Sequence, residues 1–147
     1  MLGRLLAERG GTVTSVEHDP VWASLVRDQL EREGLERLVQ LLVAPLEAHS
    51  ASWSGAPWYS DGSIASLPGA IDLLLVDGPP GHGDGMAHSR FPALPALASR
   101  LCTHAVVMLD DADREPEGEI IERWQEELPE WRFGIDAEIG FAVGRRG

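Results

Sequence analysis

The sequence predicts an α/β sandwich built around a mostly parallel sheet. Two apolar runs, Ile71–Val76 and Ala105–Leu109, have the length and continuous hydrophobicity of strands that are covered on both faces. Segments with helical spacing alternate with strand-like segments along the chain, which is typical of parallel strands joined by helical crossovers.

The first part of the chain supplies the first elements of this alternation. A leucine-rich helical face stops at a glycine pair, a β-branched strand follows, and an Asp-Pro sequence then caps a second helix. The predicted elements are a helix over Leu2–Gly10, a strand over Thr12–Glu17, a helix over Asp19–Gly34 and a strand over Leu38–Ala44.

Residues 45–69 have no clear period and predict a long loop, which in a compact domain is often functional. The loop carries Trp53, Trp58 and Tyr59, and these aromatic side chains either roof the core or line a substrate pocket. A turn rich in glycine and proline, Gly78–Gly85, follows the strand Ile71–Val76.

The last part of the chain adds two helices and a closing pair of strands. The predicted helices are Phe91–Leu101 and Pro116–Leu128, on either side of the strand Ala105–Leu109. Trp131–Ile135 and Ile139–Val143 predict an antiparallel hairpin at one edge of the sheet.

Acidic residues follow three of the predicted strands. Because the carboxyl ends of parallel strands open onto one edge of a sheet, we expect Glu17, Asp77, Asp110 and Asp111 to converge on one crevice. Carboxylates brought together in this way suit ribose hydroxyls, a cationic ligand or a metal ion.

The composition narrows the class of protein. The 147 residues suit one domain spanning 1–147, and the net charge of −12 argues against nucleic acid or an anionic membrane as partner. We find no apolar run long enough to span a membrane, no secretion leader and a single cysteine, which together favour a cytoplasmic protein.

The order and endings of these segments resemble the class I S-adenosylmethionine-dependent methyltransferases, in particular small bacterial O-methyltransferase-like members. The matching stretches are VTSVEHDPVWASLVRDQL, IDLLLVDGPPG, VVMLDDADR and the closing WRFGIDAEIGFAVGRR. The resemblance covers nearly the whole chain and implies a Rossmann-like three-layer sandwich. It also implies S-adenosylmethionine as cofactor and a small-molecule methyl acceptor.

One family feature is missing from the sequence. The family's first strand and glycine-rich turn, which hold the methionine part of the cofactor, would lie immediately before Met1, and no equivalent follows later. We therefore expect the domain to be N-terminally incomplete. A shortened, inactive relative and a neighbouring chain that supplies the strand are the alternatives.

The resemblance assigns cofactor contacts to the end of the predicted strand Thr12–Glu17. It implies that Glu17 accepts hydrogen bonds from the ribose hydroxyls, and that His18 lies near the adenine edge. Alternatively, Glu17 is an acid that flanks the following helix and interacts with its dipole, a role that Asp19 fits better. The alternative for His18 is a solvent-facing histidine.

The resemblance also implies roles for the later acids. Asp77 would lie beside the methionine amino group and the methyl acceptor, as a cofactor-binding and catalytic residue. In metal-dependent relatives the matching positions, Asp77, Asp110 and Asp111, bind a divalent cation such as Mg²⁺, which lowers the pKa of a substrate hydroxyl. Alternatively, Asp110, Asp111 or Asp113 caps the following helix.

Histidines and arginines near these acids complete the candidate set. His82 is a candidate general base, with an exposed loop histidine as the alternative, and His88 is a weaker candidate. Arg90 and Arg114 either pair with the strand-end acids or hold a substrate carboxylate, and the sequence favours the pairing.

Three functions are compatible with these observations. The first is an S-adenosylmethionine-dependent methyltransferase that acts on a hydroxyl of a small molecule. The second is a non-catalytic, degenerate or truncated methyltransferase-like module. The third, a nicotinamide oxidoreductase, is disfavoured because no dinucleotide fingerprint is present. Association into a homo-oligomer is left open.

Overall fold

The computed structural model describes residues 5, 6, 8, 10–136 and 138–147. The strands are β1 (Val13–Glu17), β2 (Val39–Val43), β3 (Leu46–Glu47), β4 (Trp58–Tyr59), β5 (Ile71–Val76), β6 (Leu101–Leu109), β7 (Trp131–Asp136) and β8 (Phe141–Arg146). The helices are α1 (Pro20–Glu33), α2 (Asp61–Ala65), α3 (Ala93–Leu97), which continues into a 3₁₀ turn (Ala98–Arg100), and α4 (Glu115–Glu127). The chain divides into two compact units.

The first unit contains the chain up to Glu47 together with Tyr59–Leu67. Its strands β1 and β2 are parallel, in a register that runs from Val13 opposite Val39 to Glu17 opposite Val43. The connection between them is α1, which begins after the predicted Asp19 cap and ends at Gly34, whose φ of 66° suits glycine at a helix C-terminus.

The apolar face of α1 is only partly buried. Ala23 is the buried residue of this helix, whereas Val21, Trp22 and Leu25 are exposed. A two-stranded sheet is narrow, and within this unit it leaves the outer part of the face uncovered.

The second unit contains Ala48–Trp58 and Pro68–Gly147. Its sheet has the order β5-β6-β8-β7, in which β5 and β6 are parallel and the other two pairings are antiparallel. The predicted C-terminal hairpin is thus confirmed. The mostly parallel sheet is confirmed in part, since the parallel pairs are β1–β2 and β5–β6.

The core of the second unit forms between its sheet and α4. Val107 and Leu109 of β6 are fully buried, as are Ile120 and Trp124 of α4. The Trp124 indole N–H also donates a hydrogen bond of 2.7 Å to the Phe91 carbonyl oxygen. This bond connects α4 to the segment that contains Arg90.

Three sequence predictions are corrected by the structure. The stretch 45–69 contains β3, β4 and α2 instead of one unstructured loop. The helix predicted over Phe91–Leu101 is shorter, because Leu101 already belongs to β6, whose nine residues extend the predicted strand. The last strand begins at Phe141, and Ile139 lies in the exposed hairpin turn.

The N-terminal helix predicted over Leu2–Gly10 falls partly on residues outside the described ranges, Leu2 among them. Gly10 ends it as expected, with a φ of 81° and an N–H that donates to the Leu6 carbonyl oxygen at 2.8 Å. The single-domain assignment for 1–147 stays a prediction. Among the described residues, no helix combines the length and the hydropathy needed to cross a bilayer.

Candidate functional site

The parallel pairing of β5 and β6 brings two predicted acids together. Val76 pairs with Leu109, so Asp77 and Asp110 follow at the same end of neighbouring strands. The Asp110 amide donates to the Val76 carbonyl oxygen at 3.0 Å, and the two carboxyl groups are close enough for Asp110 to raise the pKa of Asp77. This part of the predicted convergence is therefore present in the structure.

The pairing changes the acidity of Asp77. Partial burial, the hydrogen bond to Asp110 and the negative charge of Asp110 together raise its pKa, while the nearby Arg90 opposes the shift. Since the Asp77 side chain is 66% exposed, water reduces the contribution of burial, and we attribute the raised pKa mainly to Asp110. Two carboxyl groups in this arrangement can share one proton.

Arg90 is the buried centre of the site. Its side chain is 5% exposed. The guanidinium donates to the carbonyl oxygens of Pro79 at 3.1 Å, Asp110 at 3.0 Å and Asp77 at 3.2 Å, and to the Asp111 carboxylate at 2.9 Å. The two strand ends are thus held by one side chain, and the predicted pairing of Arg90 with the acids is confirmed.

Glu117 lies beneath the glycine-rich turn and was not identified from the sequence. Its side chain is 1% exposed, and Oε1 lies 3.4 Å from Nη1 of Arg90. Neither carboxylate oxygen accepts a hydrogen bond from the described residues. Burial raises the pKa of Glu117, and the positive charge of Arg90 opposes this shift. A Cβ on Gly81 would lie 2.9 Å from Oε1, so the glycine leaves room for this carboxyl.

Asp111 does not join Asp77 and Asp110 in a shared ligand set. Its carboxylate pairs with Arg90 at 2.9 Å and with Arg114 at 2.6 Å. The described residues contain no group of three or more His, Cys, Asp or Glu side chains placed to hold a metal ion. As arranged here, the three aspartates do not fit a divalent cation.

The alternative capping role of these aspartates is wrong. Helix α4 has Arg114 as its N-cap residue, and no side chain makes a capping hydrogen bond there. The Arg114 amide instead donates to the Asp111 carbonyl oxygen at 2.9 Å.

Glu17 and His18 lie at the end of β1, in the first unit. Glu17 Oε1 accepts a hydrogen bond of 2.8 Å from the Asp19 amide and lies 3.0 Å from Nδ1 of His18. Asp19 caps α1 by accepting from the Val21 amide at 2.7 Å. Glu17 thus supports the local backbone through one oxygen. Because it belongs to a different unit from Asp77, their convergence stays a prediction.

The histidines of the second unit differ in their surroundings. His82 is exposed, and no hydrogen bond of its side chain is found within the described part of the chain. His88, the weaker candidate, is bound on both ring nitrogens, to Ser54 and Glu119. Sequence analysis missed this contact because the partners lie 34 and 31 positions away.

The aromatic residues of stretch 45–69 have separate roles. Trp58 and Tyr59 are buried and belong to the core. Trp53 stacks on the His88 ring, with 4.0 Å between ring centroids. The core role is thus confirmed for Trp58 and Tyr59, and a substrate pocket at Trp53 stays a prediction.

Comparisons with known proteins identify the family. A family model described as a methyltransferase domain matches residues 1–112. A comparison with the sequences of curated proteins finds no match.

Solved structures share the fold at low identity. A methyltransferase from Geobacter sulfurreducens is 16% identical over 92% of this chain and 58% of its own, with a TM-score of 0.58. A precorrin-6y C5,15-methyltransferase from Geobacter metallireducens is 15% identical over 92% and 65%, with a TM-score of 0.59. The N-terminal domain of human METTL16, in complex with SAH, is 13% identical over 98% and 55%, with a TM-score of 0.57.

The chain thus spans less than two thirds of the length of each of these structures. The match to the family model nevertheless extends over most of the sequence and ends within the acidic segment that follows β6. The chain therefore belongs to the class I S-adenosylmethionine-dependent methyltransferases.

Proposed function

We propose that this chain takes part in an S-adenosylmethionine-dependent transfer of a methyl group to a hydroxyl of a small molecule. The observation that carries the proposal is the placement of Asp77 and Asp110 side by side at the ends of the paired strands β5 and β6. A carboxyl group with a raised pKa in this position is suited to accept a proton from the acceptor hydroxyl.

The first unit would contribute to cofactor binding. One oxygen of Glu17 is bound to the Asp19 amide, and the rest of its acceptor capacity is available to ribose hydroxyls. We assign His18 to the adenine edge and Asp77 to the methionine amino group. S-adenosylmethionine supplies the electrophilic methyl group when bound.

The second unit would orient the acceptor and take its proton. Arg90 fixes the backbone on both sides of the aspartate pair, so the carboxyl groups are positioned before the substrate arrives. His82 is a second candidate base, on an exposed turn. No step is assigned to a metal ion.

The charge of −12 supports a small molecule over nucleic acid or a membrane as the substrate. Cytoplasmic localisation and association into a homo-oligomer stay predictions.

A radiolabelled methyl-transfer assay tests the proposal. Small alcohols, phenols and catechols serve as acceptors, and Asp77→Asn and Asp110→Asn are compared with Asp84→Asn, a change at an exposed aspartate of the neighbouring turn. We expect the first two variants to lose about 100-fold or more in rate, the usual range for a general base, with Asp84→Asn near wild type. Equal rates in all three variants would overturn the assignment, and transfer to amines alone would overturn the hydroxyl acceptor.

A further inference from the structure

A second cluster of reactive groups lies in the second unit, apart from the strand-end aspartates. His88 Nδ1 lies 3.0 Å from the Ser54 hydroxyl oxygen, and His88 Nε2 lies 2.6 Å from Glu119 Oε2. We propose that Ser54, His88 and Glu119 form a nucleophilic serine site that hydrolyses small carboxylic esters.

The hydrogen bonds fix the role of each group. Glu119 accepts from Nε2–H of His88, which leaves Nδ1 with a lone pair that accepts the Ser54 hydroxyl proton. A serine is a weak nucleophile until an adjacent base takes its proton, and a third group must orient that base. All three requirements are met by side chains from three separate segments.

Ser54 and Gly55 are the central residues of a tight turn in which the Ala56 amide donates to the Trp53 carbonyl oxygen at 3.4 Å. Ser54 has a φ of 58°, in the left-handed region that non-glycine residues rarely adopt, and the side chain is exposed. Such conformations cluster at functional sites. The following amide, that of Gly55, has no acceptor within the described part of the chain and is the candidate donor to an oxyanion.

The imidazole is held firmly while the serine stays accessible. Trp53 stacks on the His88 ring, and the His88 side chain is 16% exposed, against 48% for Glu119. A depression of about 200 Å³ lies on the Glu119 side of the cluster and is lined by Trp53, Glu119, Glu122, Arg123 and Glu126, without Ser54 or His88. Its carboxylates disfavour anionic substrates, so the site fits small neutral or cationic esters.

The reaction balances with water as the only co-substrate. The Ser54 oxygen bonds to the ester carbonyl carbon while its proton moves to His88 Nδ1, and this proton then leaves with the alcohol as the carbon–oxygen bond breaks. Water next attacks the acyl-serine, gives its proton to Nδ1 and releases the acid, and Ser54 regains a proton.

The test uses p-nitrophenyl acetate and a fluorophosphonate probe, with mass spectrometry to locate the labelled serine. Ser54→Gly removes the nucleophile in a residue that tolerates the backbone angle, and Ser50→Ala, at an exposed serine of the same stretch, is the matched control. We expect labelling at Ser54, an initial burst of p-nitrophenol, loss of both in Ser54→Gly and unchanged behaviour in Ser50→Ala.

Two variants test the base and its orienting group. His88→Asn should slow labelling by about 100-fold or more, and Glu119→Gln should slow it less, with unfolding midpoints recorded for each. Labelling of Ser54 no faster than that of Ser50, or undiminished in both variants, would overturn the proposal and leave the cluster as a structural tether. A loss in His88→Asn with no loss in Glu119→Gln would overturn the role of Glu119.

Discussion

Replacing Arg90 by methionine should strongly destabilise the protein. Methionine keeps the apolar stem but removes four hydrogen bonds of the guanidinium, two of them to carbonyl oxygens that directly follow the strands and one to the Pro79 carbonyl oxygen of the turn. It also leaves the buried Glu117 without its cation at 3.4 Å. Removing one partner of a buried ion pair costs about 3–5 kcal/mol, and we expect Arg90→Met to lower the free energy of unfolding by that amount.

Further variants separate the cost of the lost hydrogen bonds from the cost of leaving Glu117 without its cation. Arg90→Lys keeps the charge but loses the planar fork, so we expect a loss of about 2 kcal/mol. Arg90→Met combined with Glu117→Gln removes the stranded acid and should recover about 1–2 kcal/mol relative to Arg90→Met alone. Urea denaturation followed by circular dichroism measures all four proteins.

The pH dependence gives an independent check. The pKa of Glu117 is already raised in the folded state, and losing Arg90 raises it further. Above the ordinary pKa of 4.5, Glu117 has lost its proton in the unfolded chain but still holds it in the folded variant. The defect of Arg90→Met should therefore be smaller below pH 4.5 and grow as the pH rises through the folded-state pKa.

Arg90→Met within 1 kcal/mol of wild type at neutral pH would refute the role of Arg90 as the clamp of the strand ends. If Arg90→Met does not fold, Arg90→Lys and the double variant still decide the question. The double variant should then be more stable than Arg90→Met. If the double variant is unfolded while Arg90→Lys is as stable as the wild type, the coupling between Arg90 and Glu117 is contradicted.

Three further outcomes follow from the same structure. Gly144→Ala should lose about 1–3 kcal/mol in urea denaturation, because the added Cβ would overlap the Phe133 ring on the neighbouring strand; Gly62→Ala, with open space around it, is the control. Glu17→Ala should weaken S-adenosylmethionine by about 1.5–3 kcal/mol in calorimetry with the fold intact, and unchanged affinity would leave Glu17 a structural role. Asp110→Asn removes a negative charge that raises the pKa of Asp77, so the acid limb of the residual methyl-transfer pH profile should move to lower pH; a limb that stays in place would contradict the coupling.

The strand ends could be predicted because their signals are local. An apolar run that stops at an acid needs only neighbouring residues to be recognised, and the structure places Asp77 and Asp110 side by side as expected. The cap at Asp19 and the glycine at Gly34 are equally local. The pairing of Arg90 with the acids was also expected, although Arg90 lies 13 residues after Asp77 and 21 before Asp111, so only the fold brings them together.

The remaining contacts depend on distant parts of the chain. Glu117 looks like an ordinary helix residue, and only the tertiary structure shows that it is buried under Gly81. The contact between Ser54 and His88 likewise joins segments without a shared motif. The exposure of Trp22 could not be read from helical spacing, because spacing identifies an apolar face but not how much of it is covered.

The position of β5 has a consequence for how the protein behaves at high concentration. Among the described residues β5 ends its sheet, and its Leu73 and Leu75 side chains are exposed. An open, apolar strand is a template on which strands of other molecules can add. Asp72, which is exposed on the same strand, and the net charge of −12 oppose such growth by repulsion. Because salt screens that repulsion, the protein should stay dispersed in dilute buffer and form strand-paired aggregates as ionic strength rises.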